Sequence, residues 1–181
     1  MEKEIKIKIN SKQYELSKLL MEKLFSDFDA DADCAEETEE GENEGEDLLE
    51  LTAEGFISDD GERIEITYEE SDLTGMEGAT TKISFDKKNP ELVTMLRGGS
   101  VTTAMVFEQK KRHICVYETP YMPFELCIYT LKVCNELALR GLLYLDYIVE
   151  FKGAQAERTK FTVMIEEVSS EAGPLDEYAD I

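Results

Sequence analysis

VTTAMVFEQKKRHICVYETPYMPFELCIYT, residues Val101–Thr130, decides the fold. Val101, Thr103, Met105 and Phe107 form one alternating run, His113, Cys115 and Tyr117 a second, and Phe124, Leu126, Ile128 and Thr130 a third. A period of two places each set on one face of a β-strand and its intervening polar partners on the other. Gln109-Lys110-Lys111 separates the first two runs, and a corner at Thr119-Pro120-Tyr121 separates the second from the third. Connections this short join antiparallel neighbours and leave no room for a crossover helix.

The same pattern extends in both directions. Upstream lie Ile5, Ile7 and Ile9, then Leu49 and Leu51, then Ile64, Ile66 and Tyr68, then Thr81, Ile83 and Phe85, then Val93 and Met95. Downstream come Leu143, Leu145, Tyr147 and Val149, then Phe161, Val163 and Ile165. Turn residues punctuate them at Asp59-Asp60-Gly61, Leu73-Thr74-Gly75, Lys87 to Pro90, Arg97-Gly98-Gly99 and Lys152-Gly153. About nine or ten strands joined in sequence favour an all-β, antiparallel up-and-down barrel, because closure removes exposed strand edges. A two-sheet sandwich is the competing arrangement.

Two stretches depart from this period. From Lys12 to about Phe25, Leu16, Leu19, Leu20 and Leu24 recur at three and four residues, which predicts a short helix. From Asp27 to Asp47, 12 of 21 residues are Asp or Glu and none is Lys or Arg, which predicts a solvated, mobile loop. Residues 11–47 are thus expected as a helical and acidic insertion in a single domain spanning 1–168, with an acidic tail over 169–181. Tyr14, Leu20 and Leu24 suit either a lid over a barrel mouth or a homodimer contact.

With 41 acidic and 19 basic side chains in 181 residues, the net charge is −22. Such a chain repels nucleic acid and anionic membrane surfaces alike. MEKEIKIKIN has no apolar stretch behind its basic residues, and no run of about 18 apolar residues occurs, so a cytoplasmic protein is expected. Cys34, Cys115, Cys127 and Cys134 show no C-x-x-C spacing and are expected as reduced core thiols.

Tyr68-Glu69-Glu70, Leu73-Thr74-Gly75-Met76-Glu77-Gly78, Met95-Leu96-Arg97-Gly98-Gly99, Phe107, and His113 leading to Tyr117-Glu118-Thr119-Pro120-Tyr121 follow one another in a fixed order. That order resembles the YwiB-like family, small bacterial proteins of unknown function. The resemblance covers the first strand and then Glu54 to Val168. It implies a calycin-like (lipocalin-like) β-barrel with an interior cavity, and brings no catalytic residue, ligand or reaction. Two features depart from it: the insertion from Ser11 to Asp47, and Met122 where a small turn residue is expected.

Polar residues that share parity with core neighbours are the informative ones, because an unpaired buried polar group costs about 1–3 kcal/mol. Arg97 is in register with Val93 and Met95, while His113 and Thr119 share a face with Cys115 and Tyr117. Together with Tyr68 they form a candidate ligand site, in which a guanidinium fork and phenol donors suit a carboxylate. The plainer reading is that Arg97 pairs with Glu69 or Glu70 and closes one barrel end. Lys87, Lys88, Lys110, Lys111 and Arg112 are either an anion gate or solubilising turn residues.

His113 is the single histidine, so a His-rich metal site is excluded and a Ser-His-Asp set would rest on it alone. A His113–Cys115 nucleophile pair would need a thiolate that an apolar run disfavours. Asp29 to Glu40 has the length of a calcium loop, but Cys34 stands where that loop requires glycine. Neither G-x-x-x-x-G-K-[ST] nor G-x-G-x-x-G occurs, so no cofactor is expected. The expected function is non-catalytic binding of a small anionic or amphipathic molecule. The alternative is a plugged barrel that captures a basic partner through the acidic insertion.

Overall fold

The computed structural model describes residues 2–16, 46–151 and 156–166. Ten strands run in chain order: β1 (Glu2–Leu16), β2 (Glu46–Asp59), β3 (Arg63–Glu69), β4 (Thr80–Asp86), β5 (Asn89–Gly98), β6 (Thr102–Glu108), β7 (Arg112–Glu118), β8 (Pro123–Glu136), β9 (Leu142–Phe151) and β10 (Ala156–Glu166). Each pairs antiparallel with the next, and β10 closes on β1. The wall is therefore an up-and-down closed barrel, and the sandwich is excluded. The helical structure among the described residues is a 3-10 turn at Asp72–Thr74 and one α-turn, α1 (Leu137–Arg140).

The alternation read from the sequence is what fills the barrel. Ile5, Ile7, Ile9, Ile64, Ile66, Ile83, Phe85, Val93, Met95, Phe107, Ile128, Leu143, Leu145 and Val163 are buried in one cluster, contributed by nearly every strand. Outward-facing partners such as Lys6, Lys8 and Glu65 are exposed or half-buried. Leu16, Leu131 and Ile148 form a separate small cluster against Tyr129.

The expected helix from Lys12 is corrected where it can be seen. Lys12–Leu16 continues β1, with Lys12 opposite Leu48 and Lys160, and Tyr14 opposite Glu46 and Arg158. Backbone pairing to strands on both sides outweighs a local three-and-four leucine spacing, because propensity is a weak prior against a complete ladder. The remainder of that helix, the acidic loop up to Gly45, the calcium-like spacing, the turn at Lys152-Gly153 and the tail from Ser169 lie outside the described residues. Asp47, expected in the loop, belongs to β2.

Two irregularities shape the end nearest β8. The β6–β7 ladder is confined to Thr102–Glu118 and Thr103–Tyr117. The hairpin tip is tied instead to β8, with Lys110 N–H donating to the Thr130 carbonyl at 2.8 Å and Thr130 N–H to the Lys111 carbonyl at 3.1 Å. At that point β8 shifts register against β9 between Thr130 and Lys132 and runs on to Glu136. Cys115 and Cys127 are free thiols, whereas Cys134 is disulfide-bonded, which corrects the expectation of four reduced thiols. Chain spacing alone does not reveal a bridge made by tertiary approach.

Candidate functional site

Strand register assembles a ring of polar side chains near one barrel end. Tyr68 on β3 opposes Thr81 on β4, Thr81 opposes Arg97 on β5, Arg97 opposes Thr103 on β6, and Thr103 opposes Tyr117 on β7. Phe124 on β8 continues the ring beside Tyr117, their ring centroids 5.1 Å apart, and Phe151 stands 5.1 Å beyond Phe124. On the other flank Tyr68 packs against Gly55, where a Cβ would come within 2.5 Å of the Thr67 carbonyl oxygen and 3.1 Å of Tyr68 Cβ. Toward the barrel's other end the interior is occupied by Ile66, Ile83, Met95 and Met105, all buried.

A carboxylate enters this ring from the loop after β3. Glu70, its side chain 2% exposed, accepts a hydrogen bond from the Thr81 hydroxyl and lies 3.5 Å from Arg97 Nε. The plainer reading of Arg97 thus selects Glu70 over Glu69. The pairing is incomplete, because Arg97 Nε makes no hydrogen bond, and the Thr103 hydroxyl opposite it has only the Cys115 thiol beside it and no nitrogen or oxygen partner. On β9 and β10, by contrast, Arg158 and Asp146 form a finished pair, Nε to Oδ1 at 2.9 Å and Nη2 to Oδ2 at 2.6 Å.

Burial first, and then the Glu70 carboxylate, push the Tyr68 phenol far above its ordinary range, with Arg97 opposing. Burial likewise raises Tyr147, again opposed by Arg97. Both phenols therefore stay protonated at neutral pH and act as donors. Burial also raises Cys115, so the thiol is a poor nucleophile.

The segment Glu70–Ala79 covers this end. Glu70 N–H donates to the Ala79 carbonyl at 2.8 Å, and the 3-10 turn fills the span. Tyr117 Oη reaches Met76 Sδ at 3.9 Å, and Ser100 Oγ donates to the Glu77 carbonyl at 3.2 Å. Gly99, with φ +134, lies so close that a Cβ there would sit 2.6 Å from the Gly78 carbonyl oxygen. Leu-Thr-Gly-Met-Glu-Gly and Arg-Gly-Gly thus meet over the ring.

Of the five residues expected to converge, Tyr68, Arg97 and Tyr117 do so. Thr119 follows β7, and its hydroxyl turns the corner by donating to the Met122 carbonyl at 3.0 Å and accepting the Tyr121 and Met122 N–H groups. Met122 is accommodated there by its backbone. His113 is four residues along β7 from Tyr117, roughly 13 Å at about 3.3 Å per residue. Its Nε2 lies 3.4 Å from a Glu108 carboxylate oxygen. Thr103, Thr81 and Tyr147 escaped attention as site residues, although each shares parity with apolar neighbours, the signal that singled out Arg97.

The basic turn residues lie at the end opposite the ring, and four of the five are engaged with acids. Lys87 pairs with Asp59, Lys88 with Glu62, Lys111 with Glu108, and Arg112 with Glu150 while stacking on Tyr129. A groove of about 570 Å³ lies away from the ring, outside the wall over β10, β1 and β2, lined by Lys8, Asn10, Lys12, Thr52, Lys160 and Thr162. There Lys8 pairs with Glu166 at 2.5 Å and Asn10 with Glu50 at 3.0 Å, so part of its polarity is already matched. Among the described residues no cluster of three His, Cys, Asp or Glu could hold a metal, and no helix is long and apolar enough to cross a membrane.

A family model described as a domain of unknown function (DUF1934) matches residues 35–163. Among solved structures, the crystal structure of the ywiB protein from Bacillus subtilis superposes with a TM-score of 0.56, at 14% identity over 91% of this chain and 94% of that one. At that identity the likeness is one of fold. No curated protein matches.

Proposed function

Because the chain belongs to the DUF1934, YwiB-like family, a domain of unknown function, we propose from the chemistry of its own residues that it binds a small anionic or amphipathic molecule without catalysis. The observation that carries the proposal is the pair of unpartnered polar atoms, Arg97 Nε and Thr103 Oγ1, set opposite each other inside a ring that also holds Tyr68 and Tyr117. Buried donors are ordinarily satisfied, so two adjacent orphans mark a place for an acceptor from outside the chain. Arg offers a planar fork, Thr a hydroxyl, and the two tyrosines protonated phenols. The aromatic wall of Tyr117, Phe124 and Phe151 supplies the apolar side of such a site.

The calycin-like, lipocalin-like character of the barrel belongs to this same reading; the expected cytoplasmic setting does not. The disulfide at Cys134 argues against a reducing compartment, since such bonds persist mainly in oxidising ones. Catalysis is not proposed: His113 faces Glu108 at a distance from the ring, and Cys115 has its thiol form favoured by burial. Capture of a basic partner through the Ser11–Asp47 arm loses its first residues, because Ser11–Leu16 are part of the wall.

Native mass spectrometry of the protein purified from its host, compared with the denatured sample, tests the reading. A stoichiometric small molecule released on denaturation, and absent from an Arg97→Met variant, is the expected result. A bare chain from every preparation, together with no thermal stabilisation by small anions, would sink it.

A further inference from the structure

Arg97 and Arg158 show what two ion pairs in one molecule look like when one is finished and the other is not. Arg158 and Asp146 meet fork to carboxylate through two short hydrogen bonds. Glu70 stands at 3.5 Å from Arg97 Nε, in a geometry that makes no hydrogen bond to that atom, and leans instead on the Thr81 hydroxyl. Its side chain is 2% exposed and that of Arg97 15%, so the mismatch is not relieved by bulk solvent. A carboxylate parked beside a guanidinium without engaging it well is readily exchanged for one that does.

The chemistry of the place favours a like-for-like exchange. Swapping Glu70 for another monocarboxylate leaves the buried charge unchanged, whereas a dianion would bring excess negative charge against Arg97 alone. The orphan hydroxyl of Thr103 would donate to the second carboxylate oxygen. Tyr117 stacks on Phe124 and Phe151 tilts against Phe124, an aromatic flank suited to a flat apolar body.

The segment carrying Glu70 is built to move as a unit. Its hydrogen bonds Thr74 to Ser71, Gly75 to Asp72 and Ala79 to Met76 are internal to the loop. Besides the Glu70 side chain it is tied to the rim by the close approach of Gly99 to Gly78 and Ala79, a long Tyr117–Met76 sulfur contact and one Ser100 hydroxyl bond, and Leu73 on it is 68% exposed. We propose that the ligand is a small aromatic monocarboxylate that takes the place of Glu70 on Arg97 and Thr81, the loop Glu70–Ala79 lifting as Glu70 leaves. Glu70 is then a built-in competitor that sets the affinity of the site. This inference rests on the reading of this barrel end as a ligand site.

The test is a titration of the 15N-labelled full chain with benzoate, followed by amide shifts, for wild type, Glu70→Gln and Arg97→Lys. The expected result is weak binding to wild type with shifts concentrated in Glu70–Ala79, at least tenfold tighter binding to Glu70→Gln, and loss in Arg97→Lys. Equal affinity in wild type and Glu70→Gln overturns the exchange while leaving the site itself standing. Absence of benzoate binding in both overturns the monocarboxylate assignment, and the co-purified mass then decides whether the site binds something else. Should Glu70→Gln fail to fold, Glu70→Asp withdraws the competitor by one methylene and is expected to tighten binding in the same direction.

Discussion

Tyr68 and Tyr147 face inward from β3 and β9 and are held protonated chiefly by burial. Above about pH 10, where a phenol in an unfolded chain ionises, the unfolded state releases protons that the folded state keeps. Proton release then favours unfolding, so stability present below that pH is lost as pH rises toward the raised folded values. Absorbance at 295 nm during an alkaline titration is expected to show two phenols ionising only as the near-ultraviolet dichroism collapses. Tyr68→Phe is expected to flatten the alkaline loss while costing about 1 kcal/mol at neutral pH, the usual net worth of a phenol hydrogen bond. A variant that loses stability above pH 10 as steeply as wild type would remove Tyr68 from this account. Cys134 makes a simpler residue-scale prediction. Iodoacetamide on the denatured, unreduced chain is expected to label Cys115 and Cys127 and to reach Cys134 only after reduction; labelling of Cys134 without reductant would contradict the bridge.

Among the elements, the loop Glu70–Ala79 owes its seat to Gly99. An alanine there combines a φ of +134 with a Cβ 2.6 Å from a backbone oxygen, two penalties of order 1–3 kcal/mol that a flexible side chain cannot relieve. Gly99→Ala is expected to cost about 2 kcal/mol or more in urea unfolding, and to shift amides of Glu77–Ala79 before any in β10. Between β9 and β10 the Asp146–Arg158 pair is the element-scale electrostatic bond, with side chains 3% and 20% exposed. Asp146→Asn leaves a largely buried guanidinium without its carboxylate, and a loss of about 3–5 kcal/mol is expected; a change under about 1 kcal/mol would mean that solvent reaches the pair. Strand existence was legible at this scale because alternation is local. What escaped reading were the places where the period breaks. In β1 the buried set runs Ile5, Ile7, Ile9, Ser11 and then resumes at Leu16 after exposed Gln13, so the odd-even rule fails where the leucines begin to mimic a helix. In β8 the register shift at Thr130–Lys132 moved Leu131 into burial and hid the strand's second half. The ring itself was half legible. Arg97 stood out as a charge in an apolar register, but Thr81 and Thr103 look like ordinary strand threonines until their neighbours across the ladder are known.

For the whole molecule, closure depends on β1, which pairs along its length with β2 and with β10. Ser11 to Leu16 is the part of that seam the leucine spacing misassigns, and it supplies a prediction that separates wall from insertion. Ser11 lies opposite Leu49 and Phe161, Gln13 opposite Asp47 and Thr159, and Leu16 opposite Ala156. Deleting 11–47 removes one side of both ladders at that end and leaves the backbone groups of Leu48, Leu49 and Ala156–Phe161 without their β1 partners, at a cost the barrel cannot recover locally. Such a chain is expected to lose cooperative unfolding and to aggregate through its opened edges. Deleting 18–44 and joining the stubs keeps the Tyr14–Glu46 register, where a short turn can connect antiparallel neighbours. That chain is expected to keep the far-ultraviolet strand signal and a single urea transition. If both deletions behave alike, the wall does not extend to Leu16; if only the longer one fails, closure of the barrel and the proposed ligand site, which lies at the same end as the β1–β2 connection, can be studied on the shorter protein.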